Sequence, residues 1–174
     1  MVWRIVLLSA VAVLVSGCVT TRGGVDFVSM SQRIGPPKAG QARVVIFREP
    51  AYAGLIDQGW DVKLDDTPMG ELKTGTFRYA DRPAGRHQLS YTEALFPGVS
   101  QRDITLSQGR TYFFLVKASD RAKTLNAAQA AGGLTGLVVV SAMTAGDNNP
   151  GPLDFIPLEE TAAREATAAL KLSE

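Results

Sequence analysis

The chain contains 174 residues and its charges nearly balance: 18 Lys and Arg, 17 Asp and Glu, and a single His. Because there is no basic excess to neutralise phosphates, a nucleic acid is not expected as a partner. The only cysteine is Cys18, which excludes a disulfide within the chain and a metal site built from several thiolates.

The first 17 residues have the pattern of a secretory signal peptide. One basic residue, Arg4, precedes an apolar run over residues 5–15 that only Ser9 interrupts, and small residues follow. The run is too short for a comfortable membrane span, which needs about 20 apolar residues. The alternative is an ordinary secretory signal in which the next residue, a cysteine, has no role.

The end of this segment, Val15-Ser16-Gly17-Cys18, resembles the lipobox of bacterial lipoproteins. The resemblance implies cleavage before Cys18 and attachment of fatty acids such as palmitate to this residue. Two or more acyl chains would hold the protein on a membrane permanently. Since residue 19 is Val rather than Asp, the resemblance also implies a cell-envelope location on the outer membrane, facing the periplasm.

Residues 18–41 are expected to form the lipidated N-terminus and a tether. They contain Gly23-Gly24, Gly35-Pro36-Pro37 and Gly40, and they have no sustained hydrophobic period. As a flexible coil, residues 19–41 would span roughly 25 Å. Residues 42–174 then suit a single domain that can bury a core without disulfides.

Residues 42–117 alternate between strand and turn signals. In one predicted strand, Trp60, Val62 and Leu64 would face inward while Asp61 and Lys63 face solvent. Turn residues occur at 65–68, 83–85, 97–98 and 108–109. Short strands at this spacing predict an all-β fold, an antiparallel β-sandwich of about seven or eight strands.

The C-terminal third has a different composition. Residues 124–146 carry no charge and are rich in Gly and Ala, with Ala128, Gly132 and Gly136 spaced four apart. Residues 127–146 therefore have three interpretations: a helix packed over the sandwich, a segment that contacts a membrane or pairs with another helix, or a flexible loop. A last strand over residues 153–158 and a short C-terminal helix over residues 159–172 are predicted to follow.

Part of the predicted sandwich resembles a PEGA-type domain. The resemblance rests on Val62-Lys63-Leu64-Asp65-Asp66, then Gly70, then Pro83-Ala84-Gly85-Arg86-His87-Gln88-Leu89, and it covers residues 60–106. Where such domains usually have Asp-Gly in the turn, this chain has Asp65-Asp66. The resemblance implies a small β-sandwich near a bacterial surface, often with an adaptor role.

The order of features along the whole chain resembles a family of small bacterial lipoproteins built on a β-sandwich domain of unknown function. A lipobox and tether precede Ala42-Arg43-Val44-Val45-Ile46-Phe47-Arg48, and Thr111-Tyr112-Phe113-Phe114-Leu115-Val116 follows the PEGA-like segment. The resemblance implies no known activity, and only Cys18 receives a role from it.

The residues with catalytic or metal-binding chemistry are few. His87 lacks a marked nucleophile or orienting carboxylate. The resemblance to a PEGA-type domain implies that His87 caps a turn or packs at the edge of the core, and a hydrolase is the alternative. Asp65-Asp66 supply too few oxygen ligands for a calcium loop, so a solvated turn is expected there. No catalytic residue, metal site or cofactor is predicted.

Aromatic residues offer a possible binding surface. Trp60, Phe77, Tyr79 and Tyr91 occupy strand positions that normally build a core, so core is the preferred interpretation over a glycan-binding face. Residues 49–59 lack a strand pattern but contain Tyr52, Leu55 and Ile56, which we predict as a contact loop for a partner.

Together these features predict a membrane-tethered envelope lipoprotein that binds a protein or cell-wall partner and is not an enzyme. The first alternative is a membrane-contacting or oligomerising protein that acts through residues 127–146. The second is an envelope hydrolase involving His87.

Overall fold

The computed structural model describes residues 24–50, 59–94, 96–143 and 149–173. Cys18 and the predicted contact residues Tyr52, Leu55 and Ile56 lie outside these residues. The described elements, in chain order, are α1 (Phe27–Ile34), β1 (Gln41–Phe47), β2 (Trp60–Leu64), β3 (Thr67–Leu72), β4 (Thr76–Pro83), β5 (Gly85–Thr92), β6 (Val99–Leu106), β7 (Thr111–Ala118), α2 (Asp120–Met143), β8 (Leu153–Leu158), α3 (Glu160–Thr167) and β9 (Lys171–Leu172).

The strands form two sheets that face each other. The large sheet has the order β8-β7-β1-β4-β9 and the small sheet the order β3-β2-β5-β6. The predicted all-β sandwich is confirmed, with one difference: β1 pairs with β7, and β4 with β9, in parallel. β1 lies at the centre of the large sheet, which explains why its residues are buried on both faces.

Alternate residues of β1 belong to two separate cores. Ala42, Val44 and Ile46 face the small sheet, where they pack in one cluster with residues of β2, β5, β6, β7 and β8. Val45 and Phe47 face the other way and join a second cluster with residues of α1 and α3. The chain therefore forms three layers, because the outer face of the large sheet needs its own cover.

α1 lies within the stretch that the sequence predicted as a tether. Asp26 caps this helix by accepting a hydrogen bond from the Ser29 amide at 2.9 Å. Phe27 and Met30 are buried, and the Phe27 ring meets Phe77 edge-on at 5.4 Å between centroids. The tether prediction is therefore wrong for residues 27–34. Helix α1 has only about two turns and is flanked by Gly and Pro residues. Such a short helix does not give a sustained hydrophobic period in the sequence.

The C-terminal residues return to the large sheet. The predicted strand over residues 153–158 is confirmed as β8, and the predicted C-terminal helix as α3. However, the helix ends at Thr167 rather than near residue 172, because Leu170 is buried against the large sheet and Lys171 and Leu172 pair with β4.

The sandwich has two different ends, which we call the α2 end and the turn end. At the α2 end lie the last residues of β1 and β7 and the first residues of β4, β6 and β8; the Leu153 amide donates to Ser100 Oγ at 2.7 Å across the two sheets. At the turn end lie the β2–β3 turn and the β4–β5 connection.

Candidate functional site

His87 lies at the turn end, next to the tight turn between β2 and β3. Asp65 and Asp66 form this turn with φ values of 53° and 60°, and Leu64 pairs with Thr67 on either side. Positive φ at both central residues is characteristic of the two-residue type I′ hairpin, whose twist matches that of the strands. The His87 ring connects this turn to the β4–β5 connection.

Both ring nitrogens of His87 contact oxygen atoms. Nδ1 lies 2.6 Å from Asp65 Oδ2 and Nε2 lies 2.8 Å from the Pro83 carbonyl oxygen. A carbonyl oxygen can only accept, so Nε2 is the donor in that contact, while Nδ1 faces an oxygen of the carboxylate. The side chain is 11% exposed. The predicted turn-capping role of His87 is confirmed, and neither nitrogen is left for a substrate.

The Asp65 carboxylate is held by groups around it. Partial burial is the largest influence and raises its pKa, but hydrogen bonds from His87 and from the Gln88 amide, together with the charges of His87 and Arg82, outweigh burial and lower the pKa overall. The Gln88 amide donates to Oδ1 at 3.0 Å. Asp65 is therefore ionised at neutral pH and fixes the β2–β3 turn to β5.

A shallow depression of about 490 Å³ surrounds these groups. It is lined by Asp65, Arg86, His87, Gln88, Asp103, Ile104 and Thr105. Within it, Gln88 Nε2 donates to Asp103 Oδ1 at 2.8 Å. No group of three or more His, Cys, Asp or Glu residues that could hold a metal occurs in the described part of the chain. Four of the lining residues are therefore joined by hydrogen bonds: Asp65 with His87 and the Gln88 amide, and Gln88 with Asp103.

At the α2 end, helix α2 is a hairpin rather than one straight helix. Gly133 has φ 58° and ψ −146°, which is not a helical conformation, so the chain bends there. After the bend, residues 134–143 return along residues 126–132. A Cβ at Gly136 would lie 2.4 Å from the Ala128 carbonyl oxygen, so only glycine allows this approach. We call residues 126–143 the arm.

The base of the arm is fixed by buried polar side chains. The Arg121 guanidinium is 6% exposed and donates to the carbonyls of Pro97 and Pro150. Ser119 Oγ donates to the Gly151 carbonyl at 2.8 Å and accepts from the Ala122 amide at 3.1 Å. These bonds tie α2 to the β5–β6 and α2–β8 connections, so the arm starts from a rigid base.

Beyond this base, the arm leaves the sandwich. Leu125 is fully buried, but the described side chains from Asn126 onward are exposed, apart from partial cover at Ala128, Gly136 and Ser141. Three large apolar residues are open to solvent: Leu134 at 75%, Val138 at 67% and Val139 at 52%. For the described side chains of residues 127–143, the interpretation as a helix packed over the sandwich is therefore wrong, and residues 144–146 lie outside the described part of the chain.

The small-residue stripe is interrupted by the bend. Gly136 meets Ala128 between the two halves of the hairpin, so close helix pairing occurs within the chain. A Cβ at Gly132, by contrast, would point into open space as far as the described residues extend. Among the described residues, no helix has both the length and the apolar content required to cross a membrane.

The predicted aromatic core is confirmed for Phe77 and Tyr91, which are buried. Trp60 and Tyr79 are half-buried and pack against the two clusters. Burial, together with the nearby negative charges of Glu93 and Asp61, raises the pKa of Tyr91 to about 12. The Arg48 guanidinium covers the Trp60 ring at 3.5 Å from its centroid. These rings therefore do not form an open glycan-binding face.

Sequence reasoning missed the roles of Arg121 and Arg48, because nothing in the neighbouring sequence distinguishes a buried arginine from a solvated one. The bend at Gly133 has a signal in the Gly132-Gly133 pair. The four-residue spacing of the small residues hides this signal, because the same spacing suits a helical stripe.

Comparison with protein families gives one match. A family model described as "Protein of unknown function (DUF2846)" matches residues 38–133. The match starts just before β1 and ends at the bend in α2, and it covers 96 of the 174 residues. The comparison with curated proteins found no matching sequence.

Proposed function

Because the chain belongs to the DUF2846 family, whose description assigns no function, we propose a function from its sequence and geometry. The protein is an envelope lipoprotein, acylated at Cys18 and held on the outer membrane facing the periplasm. It acts by binding a protein or cell-wall partner rather than by catalysis. The lipobox-like Val15-Ser16-Gly17-Cys18 supports the lipid attachment.

The observation that carries the binding role is the arm. Soluble domains bury large aliphatic side chains where they can, and a group of exposed ones often marks a contact surface. Here Leu134, Val138 and Val139 are presented on a helical hairpin whose base is fixed by Arg121. A rigid base lowers the entropy lost when the arm binds.

The described residues on either side of the predicted contact loop lie at the same end of the molecule as the arm. Residues 49–59 connect the last residue of β1 with Trp60, and both flanking positions lie at the α2 end. In this proposal Tyr52, Leu55 and Ile56 supply further contacts to the partner.

A hydrolase involving His87 receives no support from the geometry. A general base needs a ring nitrogen within reach of the substrate proton, and both nitrogens of His87 already contact Asp65 and Pro83. The second candidate function, a membrane-contacting or oligomerising role for residues 127–146, is favoured by the exposure of the arm.

The lipid attachment is tested by intact mass and membrane fractionation of the native protein beside a Cys18→Ala variant. The proposal predicts a wild-type protein that starts at an acylated Cys18 and sediments with membranes, and a variant that lacks the acyl mass. A soluble, unacylated wild-type protein would overturn the lipoprotein assignment.

The binding role is tested by crosslinking in native envelopes. A photoreactive residue at position 134 should give specific adducts that disappear when residues 49–59 are shortened or when Val138 and Val139 become Ser. The matched control carries the same group at the exposed Gln108, at the turn end. Identical adducts from both positions would contradict a dedicated binding surface on the arm.

A further inference from the structure

We propose that the arm docks into the surface of the same lipid bilayer that holds Cys18, and so fixes the orientation of the sandwich on the membrane. This inference rests on the proposed lipid attachment and develops the second candidate function, in which the arm contacts a membrane. It gives the exposed arm one occupant, the lipid head-group region, in place of a protein or cell-wall partner. Three features of the molecule support it. The arm is exposed, the described chain leads back toward Cys18 at the same end of the sandwich, and few residues separate Cys18 from the fold.

The exposed large apolar residues of the described chain all lie at one end. Leu134, Val138 and Val139 are on the arm. Val99, 37% exposed, is the first residue of β6, and Val28, 50% exposed, is in the first turn of α1. α1 begins beside β9 and ends near Arg43 at the turn end, so Val28 also belongs to the α2 end.

The chain leaves the described fold toward Cys18 at this same end. The first described residue, Gly24, lies against Leu172 of β9, which pairs with Phe77 near the start of β4. Gly24 follows Cys18 by six positions. Even fully extended, this stretch spans only about 20 Å. An acylated Cys18 therefore keeps the α2 end, and with it the arm, close to the lipid surface.

The dimensions of the arm suit the surface of a bilayer. Its second half, residues 134–143, is about 15 Å long as a helix, roughly half of the 30 Å hydrocarbon thickness. It cannot cross, but an apolar helical face can lie about 5–10 Å deep at the head-group boundary. Residues 124–146 carry no charge that would oppose this position.

A second copy of the chain fits the arm less well than a bilayer. A stable protein–protein interface buries about 800 Å² on each partner, more than the three exposed aliphatic side chains described on the arm supply. A bilayer accepts any number of apolar side chains and needs no complementary shape. The acyl chains already make attachment permanent, so the contribution of the arm is to orient the domain rather than to retain it.

The experiment uses the full-length acylated protein in vesicles of phosphatidylethanolamine and phosphatidylglycerol. Because Cys18 is the only cysteine, acylation leaves an introduced cysteine as the only free thiol. Leu134→Cys carries an environment-sensitive fluorophore, and Gln108→Cys at the turn end is the matched control. Nitroxide-labelled lipids and a water-soluble quencher report where each fluorophore lies, and intact mass reports acylation in the same samples.

We expect the fluorophore at position 134 to shift to the blue, to be quenched by shallow nitroxide lipids and to be protected from the aqueous quencher. The fluorophore at position 108 should stay in water. If the mass shows acylation but position 134 stays in water, the bilayer inference is overturned while the lipoprotein assignment stands. Protection in detergent-free solution that increases with protein concentration would also overturn it, in favour of a second copy. A sample without the acyl mass would overturn the proposed function itself.

Discussion

The two ends of the sandwich differ in how they join neighbouring antiparallel strands. At the turn end, Asp65, His87 and the Pro83 carbonyl bond to one another, and the chain turns with the fewest residues possible. At the α2 end, the connection between β7 and β8 extends into an arm that leaves Leu134, Val138 and Val139 in solvent. A short turn could join β7 to β8. The apolar residues exposed on the longer connection therefore indicate that the arm contacts something other than the rest of the domain.

The largest effect is expected at the base of the arm. Arg121→Ala removes the donor to the carbonyls of Pro97 and Pro150 and leaves them without this partner, which should reduce the free energy of unfolding by about 3 kcal/mol. Urea denaturation measures it. The control Lys123→Ala removes an exposed pair with Asp120 and should cost about 0.5 kcal/mol or less. Equal losses in both variants would show that the base is not a special point of attachment.

A smaller loss is expected at the turn end. His87→Ala removes the ring contact with Asp65 in the β2–β3 turn and the one with the Pro83 carbonyl at the end of β4, and it should lower the free energy of unfolding by about 1–2 kcal/mol. Urea denaturation should show this loss, while fluorescence from a probe at position 134 should not change. A change in the arm after this substitution would mean that the two ends are coupled rather than independent.

The turn end should also respond to acid. The folded-state pKa of Asp65 is lowered, so its contribution to stability is present above its ordinary value near 3.8 and is lost as the pH falls through the folded value. Asp65→Asn should therefore be less stable than the wild type at pH 7, and the difference should shrink below about pH 4. Denaturation at a series of pH values checks this. A difference that is constant with pH would show that the ionised carboxylate does not matter.

The smallest effect is a gain. Asp66 has φ 60° at the second central position of the type I′ turn, where glycine is preferred. Asp66→Gly should raise the free energy of unfolding by about 0.5 kcal/mol, because it relieves a left-handed conformation. Thermal denaturation measures the gain.

The reverse change at the other end, Gly136→Ala, should push against the Ala128 carbonyl and open the arm without raising stability.

Local patterns predicted much of the sandwich. The alternation in Trp60, Val62 and Leu64 identified β2 with the correct inward face, and the turn residues at 65–66 and 83–85 marked its neighbours. These signals are local, because a strand's side chains alternate between two faces within a few residues.

What the sequence missed depends on contacts between distant residues. The parallel pairing of β1 with β7 joins residues about 70 positions apart and has no local signal. Helix α1 is stabilised by Phe77 and Phe113 rather than by its own length. For the candidate site, the role of His87 followed from its position in a turn pattern, whereas the carbonyls that hold Arg121 come from two connections far apart in the chain.

The position of the last strand, β9, limits the order in which contacts of the fold can form. β9 adds two residues beside β4, and the Leu172 amide donates to the Val25 carbonyl at 2.8 Å, next to the start of α1. The residues just before α1 can therefore make this hydrogen bond only once Leu172 is available. During synthesis, the contacts at the start of α1 must therefore wait for β9, the last described strand in chain order.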